Sequence, residues 1–131
     1  MCNLIEISGI IKYDSIDYKV YVDLDDDIAR YYREMIPKHL TKPKPQRYKT
    51  HITIVRNEKI INMDNWLRYD GLEVNFKYNP IEKNNGIYFW LDVYSDKLEQ
   101  LRTELGLQKS SEFSRPPSDE ECFHITIGNL K

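Results

Sequence analysis

The tetrapeptide His-Ile-Thr-Ile occurs twice in this chain, at residues 51–54 and again at 124–127. The chain has three histidines, and the two copies use two of them. Alternating polar and β-branched residues form a strand pattern, and in a strand residues i and i+2 point to one face. His51 and Thr53 therefore share a face, with Ile52 and Ile54 on the other. His124 and Thr126 stand in the same relation to Ile125 and Ile127. The isoleucines are the core anchors, and the imidazole and hydroxyl groups face away from that core. One such tetrapeptide is weak evidence, because a strand histidine is usually structural. Two copies constrain the chain much more, provided that they occupy equivalent places in it.

They do. Leu4 to Ile11 reads as a strand, a turn follows at Asp14-Ser15, and Tyr18 to Val22 alternates as its hairpin partner. Asp25 and Asp26 supply carboxylates at a helix start. Leu24, Ile28, Tyr31, Tyr32 and Met35 recur at helical spacing as its apolar stripe, and Pro37 ends it. A loop, Pro37–Lys49, leads into the first motif strand, Thr50 to Val55. After a helical turn between Asp64 and Tyr69 the order repeats. Leu72 to Tyr78 is a strand, Asn84-Asn85-Gly86 is a turn, and Ile87 to Tyr94 is a second strand. Ser95 caps a helix with Leu98, Leu101 and Leu105 buried and Gly106 at its end. A second loop, Leu107–Glu121, leads into Phe123 and the second motif. The histidines are 73 residues apart and the helix starts, Asp25 and Asp96, are 71 apart. The 131 residues therefore predict one α+β domain of two related halves, about 1–62 and 70–131, each strand-strand-helix-strand. Each helix is expected on the outer face of its own half's sheet, with a central cleft between pseudo-twofold-related lobes.

Composition narrows the function classes. Nineteen basic and 21 acidic residues leave a net charge of −2, which argues against bulk-charge nucleic-acid coating but allows a local basic groove. No apolar run approaches a membrane span of about 18 residues, and residues 1–9 lack the basic region of a signal peptide. Two cysteines, Cys2 and Cys122, are too few for a disulfide scaffold, so a cytoplasmic setting is expected. Fifteen isoleucines and ten tyrosines beside a single alanine, Ala29, suggest AT-rich coding, as in a phage or a low-GC bacterium. No glycine-rich phosphate loop is present. Cys122 and His124 form a Cys-x-His pair without a matching second pair, so no zinc site is expected.

Two imidazoles and two hydroxyls in one cleft suit phosphoryl chemistry without a metal. A neutral imidazole takes a proton from the attacking oxygen, and an imidazolium gives one to the leaving oxygen. Threonine hydroxyls donate to the non-bridging phosphate oxygens as charge develops. The residues leave open which histidine is acid and which is base.

The paired His-Ile-Thr-Ile motifs and the duplicated topology resemble the 2H phosphoesterase superfamily, which includes LigT-like RNA phosphodiesterases, 2′,5′-oligoadenylate phosphodiesterases and phage anti-CBASS nucleases. The resemblance implies the bilobal LigT-like fold and a metal-independent phosphodiesterase with no cofactor. It places His51, Thr53, His124 and Thr126 in the catalytic set. The expected substrate is a cyclic oligonucleotide immune signal. A 2′,3′-cyclic phosphate RNA end or a 2′–5′ oligonucleotide is the alternative, and a non-catalytic nucleotide-binding module is the competing class. A monomer without membrane association is expected, in the host cytoplasm if the source is viral.

Other residues are candidates by position. The loop before the first motif carries Lys38, Lys42, Lys44, Arg47 and Lys49 and no acid. Arg47 and Lys49 suit a phosphate, and Tyr48 either stacks on a base or closes the core. The loop before the second motif resembles a lid with four serines, and Phe113 and Arg115 are its ligand candidates. Phe113 is equally a residue tucked beneath it. Asp119, Glu120 and Glu121 are read as solvated, as is His39. Tyr88 and Trp90 share one face of their strand, and Phe89 and Leu91 share the other, with the groove side unassigned.

Overall fold

A computed structural model describes residues 3–36, 43–118 and 120–131. His39, Lys38, Lys42, Cys2 and Asp119 lie outside the described residues. The elements run β1 (Ile5–Asp14), β2 (Lys19–Asp23), α1 (Asp26–Glu34), β3 (His51–Val55), a 3-10 turn (Met63–Asn65), β4 (Glu73–Tyr78), β5 (Lys83–Asn84), β6 (Tyr88–Tyr94), α2 (Asp96–Glu104) and β7 (Phe123–Asn129). Neither helix is long and apolar enough to cross a membrane.

All strand pairs are antiparallel. In the first half β1 pairs with β2 and β2 with β3; in the second, β4 and β5 pair with β6 and β6 with β7. Two further pairings join the halves, β3 with β7 and β1 with β4. Six strands thus close into a ring, β1-β2-β3-β7-β6-β4, with β5 extending the line of β4 along β6. Closure protects the sheet edges, which would otherwise offer unpaired backbone groups. The halves meet edge to edge along the two motif strands.

Burial follows the period-two pattern. Ile52, Ile54, Ile125 and Ile127 are fully buried, together with Leu91 and Val93 of β6 and Val20 and Val22 of β2. Phe89 and Leu91 enter this core, so Trp90 takes the opposite face, beside its cross-strand partner Thr126. The helix ends form as the sequence indicates. Asp25 caps α1 through its Asp27 N–H, and Ser95 caps α2 through Leu98 N–H. Gly106 ends the second helix at φ 86°, the left-handed region that favours glycine. The apolar stripe of α1 is narrower than its spacing suggests. Leu24, Ala29 and Tyr32 are buried, but Tyr31 and Met35 are 58% and 61% exposed. Tyr32 is drawn inward by its hydroxyl bond to Tyr78, 3.0 Å away, which leaves its neighbour Tyr31 facing outward.

The helices do not pack as expected. Each engages the motif strand of the opposite half. Arg33 of α1 donates to the Ile127 carbonyl at 2.8 Å, and Arg102 of α2 donates to the Ile54 carbonyl at 2.7 Å. The reason lies in two matched irregularities. Val20 pairs with Val55 and Tyr21 with Thr53, so Ile54 is an extra residue in β3. Phe89 pairs with Gly128 and Trp90 with Thr126, so Ile127 is the extra residue in β7. A bulge leaves its extra residue out of the ladder. The arginine from the other half supplies the missing partner of each carbonyl. The swap of helices across the pseudo-twofold is therefore tied to the last residue of each tetrapeptide.

Candidate active site

The site begins with strand register. Ile52 faces Ile125 across the β3–β7 pair. In an antiparallel pair the neighbours of that position then face each other: His51 stands opposite Thr126, and Thr53 opposite His124. Directly opposed side chains have Cβ atoms roughly 4.5–5.5 Å apart. The four predicted catalytic side chains form a compact square on the face opposite the isoleucines.

Both imidazoles are held in the same way. His51 Nδ1 lies 2.7 Å from the Lys49 carbonyl and His124 Nδ1 lies 3.3 Å from the Ser114 carbonyl. A carbonyl only accepts, so Nδ1 is the protonated nitrogen in each ring. Nε2 is left for chemistry: an acceptor in the neutral ring, a donor in the charged one. The two loops thus supply one carbonyl each. Ser114 is itself fully buried, in a turn closed by Ser111 N–H to Ser114 Oγ at 3.0 Å and Arg115 N–H to Ser111 O at 2.9 Å. Residues 111–115 of the second loop thus form a hydrogen-bonded turn beside His124.

Burial pushes the His124 imidazole down to about 4; the Ser114 bond opposes this and the nearby His51 adds to it. His124 is accordingly neutral at pH 7.

The repeat brings more residues to this face than the tetrapeptides. Asp23 is the cross-strand partner of His51, and Asp92 is the partner of His124. Tyr21 partners Thr53 as Trp90 partners Thr126. Lys12 stands beside Tyr21 and Lys83 beside Trp90. Each lysine reaches diagonally to the aspartate of its half: Lys12 Nζ is 3.3 Å from Asp23, and Lys83 is ion-paired with Asp92. Lys49 also pairs with Asp23, at 3.0 Å. Partial burial raises the Asp23 carboxyl, but Lys49 and Lys12 outweigh it and hold the group below the usual carboxylate range. Asp92 is fully buried and accepts from Trp90 Nε1 at 3.0 Å. Sequence reasoning missed five of these residues and left the side of the sixth, Trp90, unassigned. Their signal was the repeat itself: Tyr21-Val-Asp23 and Trp90-Leu-Asp92 are 69 residues apart.

A groove of about 560 Å³ opens over the first half, lined by Tyr21, Asp23, Tyr48, Lys49, His51 and Thr53 among others. Tyr48 is 67% exposed there, so it does not close the core. Arg47 lies over the Tyr48 ring at 5.8 Å and lines an adjoining cavity with Lys49. Phe113 is half-buried under the guanidinium of Arg56, 6.0 Å from its ring centre. Arg56 lines the groove, which Phe113 and Arg115 do not. Arg115 is half-buried with its Nε enclosed and unpartnered among the described residues. Glu120 and Glu121 are exposed. Cys122 is buried, which pushes its thiol up to about 12 and keeps it unreactive at neutral pH.

A family model described as Swiss Army Knife, 2H phosphoesterase domain, matches residues 20–131, which hold both motif strands, both helices and both loops. No curated protein and no solved structure matches the chain.

Proposed function

The chain belongs to the 2H phosphoesterase family, which implies phosphoesterase activity, and from that premise we propose a metal-independent phosphodiesterase in which His124 is the base and His51 the acid. The observation that carries this reading is the square of two histidines and two threonines, each ring fixed through Nδ1 with Nε2 available. The burial of His124 keeps it neutral, as a base must be.

In the proposed step His124 Nε2 takes a proton from the attacking hydroxyl or water as its oxygen bonds to phosphorus. The bond from phosphorus to the leaving oxygen breaks, and that oxygen receives the proton from His51 Nε2. The hydroxyls of Thr53 and Thr126 donate to the two non-bridging oxygens, whose charge grows in the transition state. The histidines then exchange protons with solvent to restore the starting state.

A nucleotide is the favoured substrate. The groove is much larger than a phosphate, and it presents Tyr21 and Tyr48 for stacking beside Lys12, Lys49 and Arg56 for anionic oxygens. A cyclic oligonucleotide signal is the leading candidate, with a cyclic-phosphate RNA end or a 2′–5′ linkage next. A chromatographic assay in EDTA tests this with 2′,3′-cyclic mononucleotides, a 3′,3′-cyclic dinucleotide, a cyclic trinucleotide and a 2′–5′ oligoadenylate. Cleavage of the cyclic oligonucleotides by the wild type, lost in His51→Ala and His124→Ala, is the expected result. Cleavage of the mononucleotides alone moves the activity to RNA ends. Ligand binding with no turnover on any substrate makes the groove a receptor and overturns the enzyme reading.

A further inference from the structure

We infer that the cavity beside the groove, between α1 and the segment 43–50, is a subsite for a second phosphate of the substrate. The inference rests on the phosphodiester reading of the groove and extends it. The cavity holds about 460 Å³ and is lined by Asp26, Arg30, Arg33, Arg47, Lys49 and Thr50, with Pro45, Gln46 and Tyr48. Four of these residues are cations and one is an anion. Asp26 is engaged, accepting from the Thr50 N–H and from Thr50 Oγ1, both at 2.8 Å. Arg30 pairs at the outer rim with Asp27, and Lys49 pairs with Asp23 on the groove side. Arg33 and Arg47 have no carboxylate ion pair among the described residues. Arg33 is fixed by its bond to the Ile127 carbonyl, so it presents a pre-oriented guanidinium rather than a swinging one.

The cavity is built into the site. Its wall residue Gln46 donates to the Thr126 carbonyl at 3.3 Å, and its floor residue Thr50 immediately precedes His51. Pairing of Lys44 with Asn129, at 2.7 and 2.9 Å, holds the segment against β7. Gly128 permits this, because a Cβ there would come within 2.8 Å of the Lys44 carbonyl. Tyr48 and Lys49 line both the cavity and the groove, so the two spaces adjoin. Lys49 and His51 are at most about 7 Å apart along the chain, the length scale of one sugar–phosphate repeat. A substrate with its reacting phosphate at the histidines and its chain running past Lys49 brings the neighbouring phosphate toward the cavity lined by Arg30, Arg33 and Arg47. The substrate class that uses both spaces is an oligonucleotide, cyclic or linear, with at least two phosphates.

Calorimetric titration with 2′-deoxy dinucleotides tests this without requiring turnover. The probes carry a phosphate at the 5′ end, at the 3′ end, or at neither. The expected result is that one terminal phosphate tightens wild-type binding by about tenfold or more, as charge-assisted bonds do. That gain should fall toward onefold in Arg30→Gln and Arg47→Gln, each checked for an unchanged melting temperature. It should persist in Lys97→Gln, which removes a charge that lies over the Tyr69 ring and lines neither space. Equal affinities of all three probes for the wild type, or a gain lost equally in Lys97→Gln, overturn the subsite. The substrate panel above reads independently. A phosphate gain without turnover keeps the subsite and sinks the phosphodiesterase, whereas turnover without a phosphate gain sinks the subsite alone.

Discussion

His124 is the residue at which fold and chemistry conflict most openly. Its ring is half-buried beneath the second loop, and loss of solvent there disfavours the imidazolium and pushes the group down to about 4 from its ordinary 6.5. Between those values the unfolded state holds more protons, so stability is fully present above about 6.5 and declines as pH falls toward 4. Melting temperature should drop across this window by the equivalent of about 3 kcal/mol. His124→Gln should remove most of that drop; an unchanged slope in the variant would show that His124 is not its source. The carboxylates held low by their partners, Asp23, Asp26 and Glu58, act in the other window. Their contribution is present above the unfolded carboxyl range and is lost below about pH 4. For turnover, His51→Ala and His124→Ala should each cost roughly 10²–10⁴ in kcat/KM, the span of one general acid or base. Thr53→Val and Thr126→Val should cost less, since each removes one donor among several. A threonine variant as impaired as a histidine variant would contradict that ranking.

At the scale of elements, the two arginine ties are equivalent in place but unequal in setting. Arg102 is fully buried and makes a two-pronged pair with Glu58 at 2.7 and 2.8 Å, besides its bonds to Ile54 and Gln108 carbonyls. Removing it strands a carboxylate as well as the bulge carbonyl. Arg33 is half-buried, and its only described hydrogen bond is to the Ile127 carbonyl. Arg102→Leu should therefore destabilise by about 3–5 kcal/mol and Arg33→Leu by about 1–2 kcal/mol, read by urea denaturation. Equal losses would mean that the Glu58 pair contributes nothing. The strands were legible because alternation is a local property: His51 and Ile52 announce opposite faces whatever surrounds them. The helix partners were not, because nothing in α1 or α2 states which half a side chain crosses into. That is decided by the bulges at Ile54 and Ile127, and a bulge is a property of register between strands.

At the scale of the whole molecule, the pseudo-twofold makes a symmetric set of ten residues and then breaks the symmetry. Both halves supply a lysine, an aromatic, an aspartate, a histidine and a threonine. The second half is closed, with Trp90 at 2% and Asp92 at 0% exposure, and the first lies open as the groove. The duplication and the gathering of two histidines and two threonines on one face were readable from the repeated tetrapeptide. The asymmetry was not, because it arises from how Ser114 and its loop settle over His124. Phe113 and Arg115 looked like ligand contacts from that loop's position; neither lines the groove, and Phe113 lies against Arg56, which does. An acid–base mechanism needs one histidine neutral while its partner is charged, and the desolvation of His124 favours its neutral form.

The measurement that tests this account most directly is kcat/KM against pH, from 3.5 to 9 in EDTA, on the best substrate of the panel. The account predicts a bell. The rate should rise as His124 loses its proton, near pH 4, and fall again where the acid histidine loses its own. A flat profile across that range, or activity that appears only on adding a divalent metal, would contradict the paired histidine mechanism.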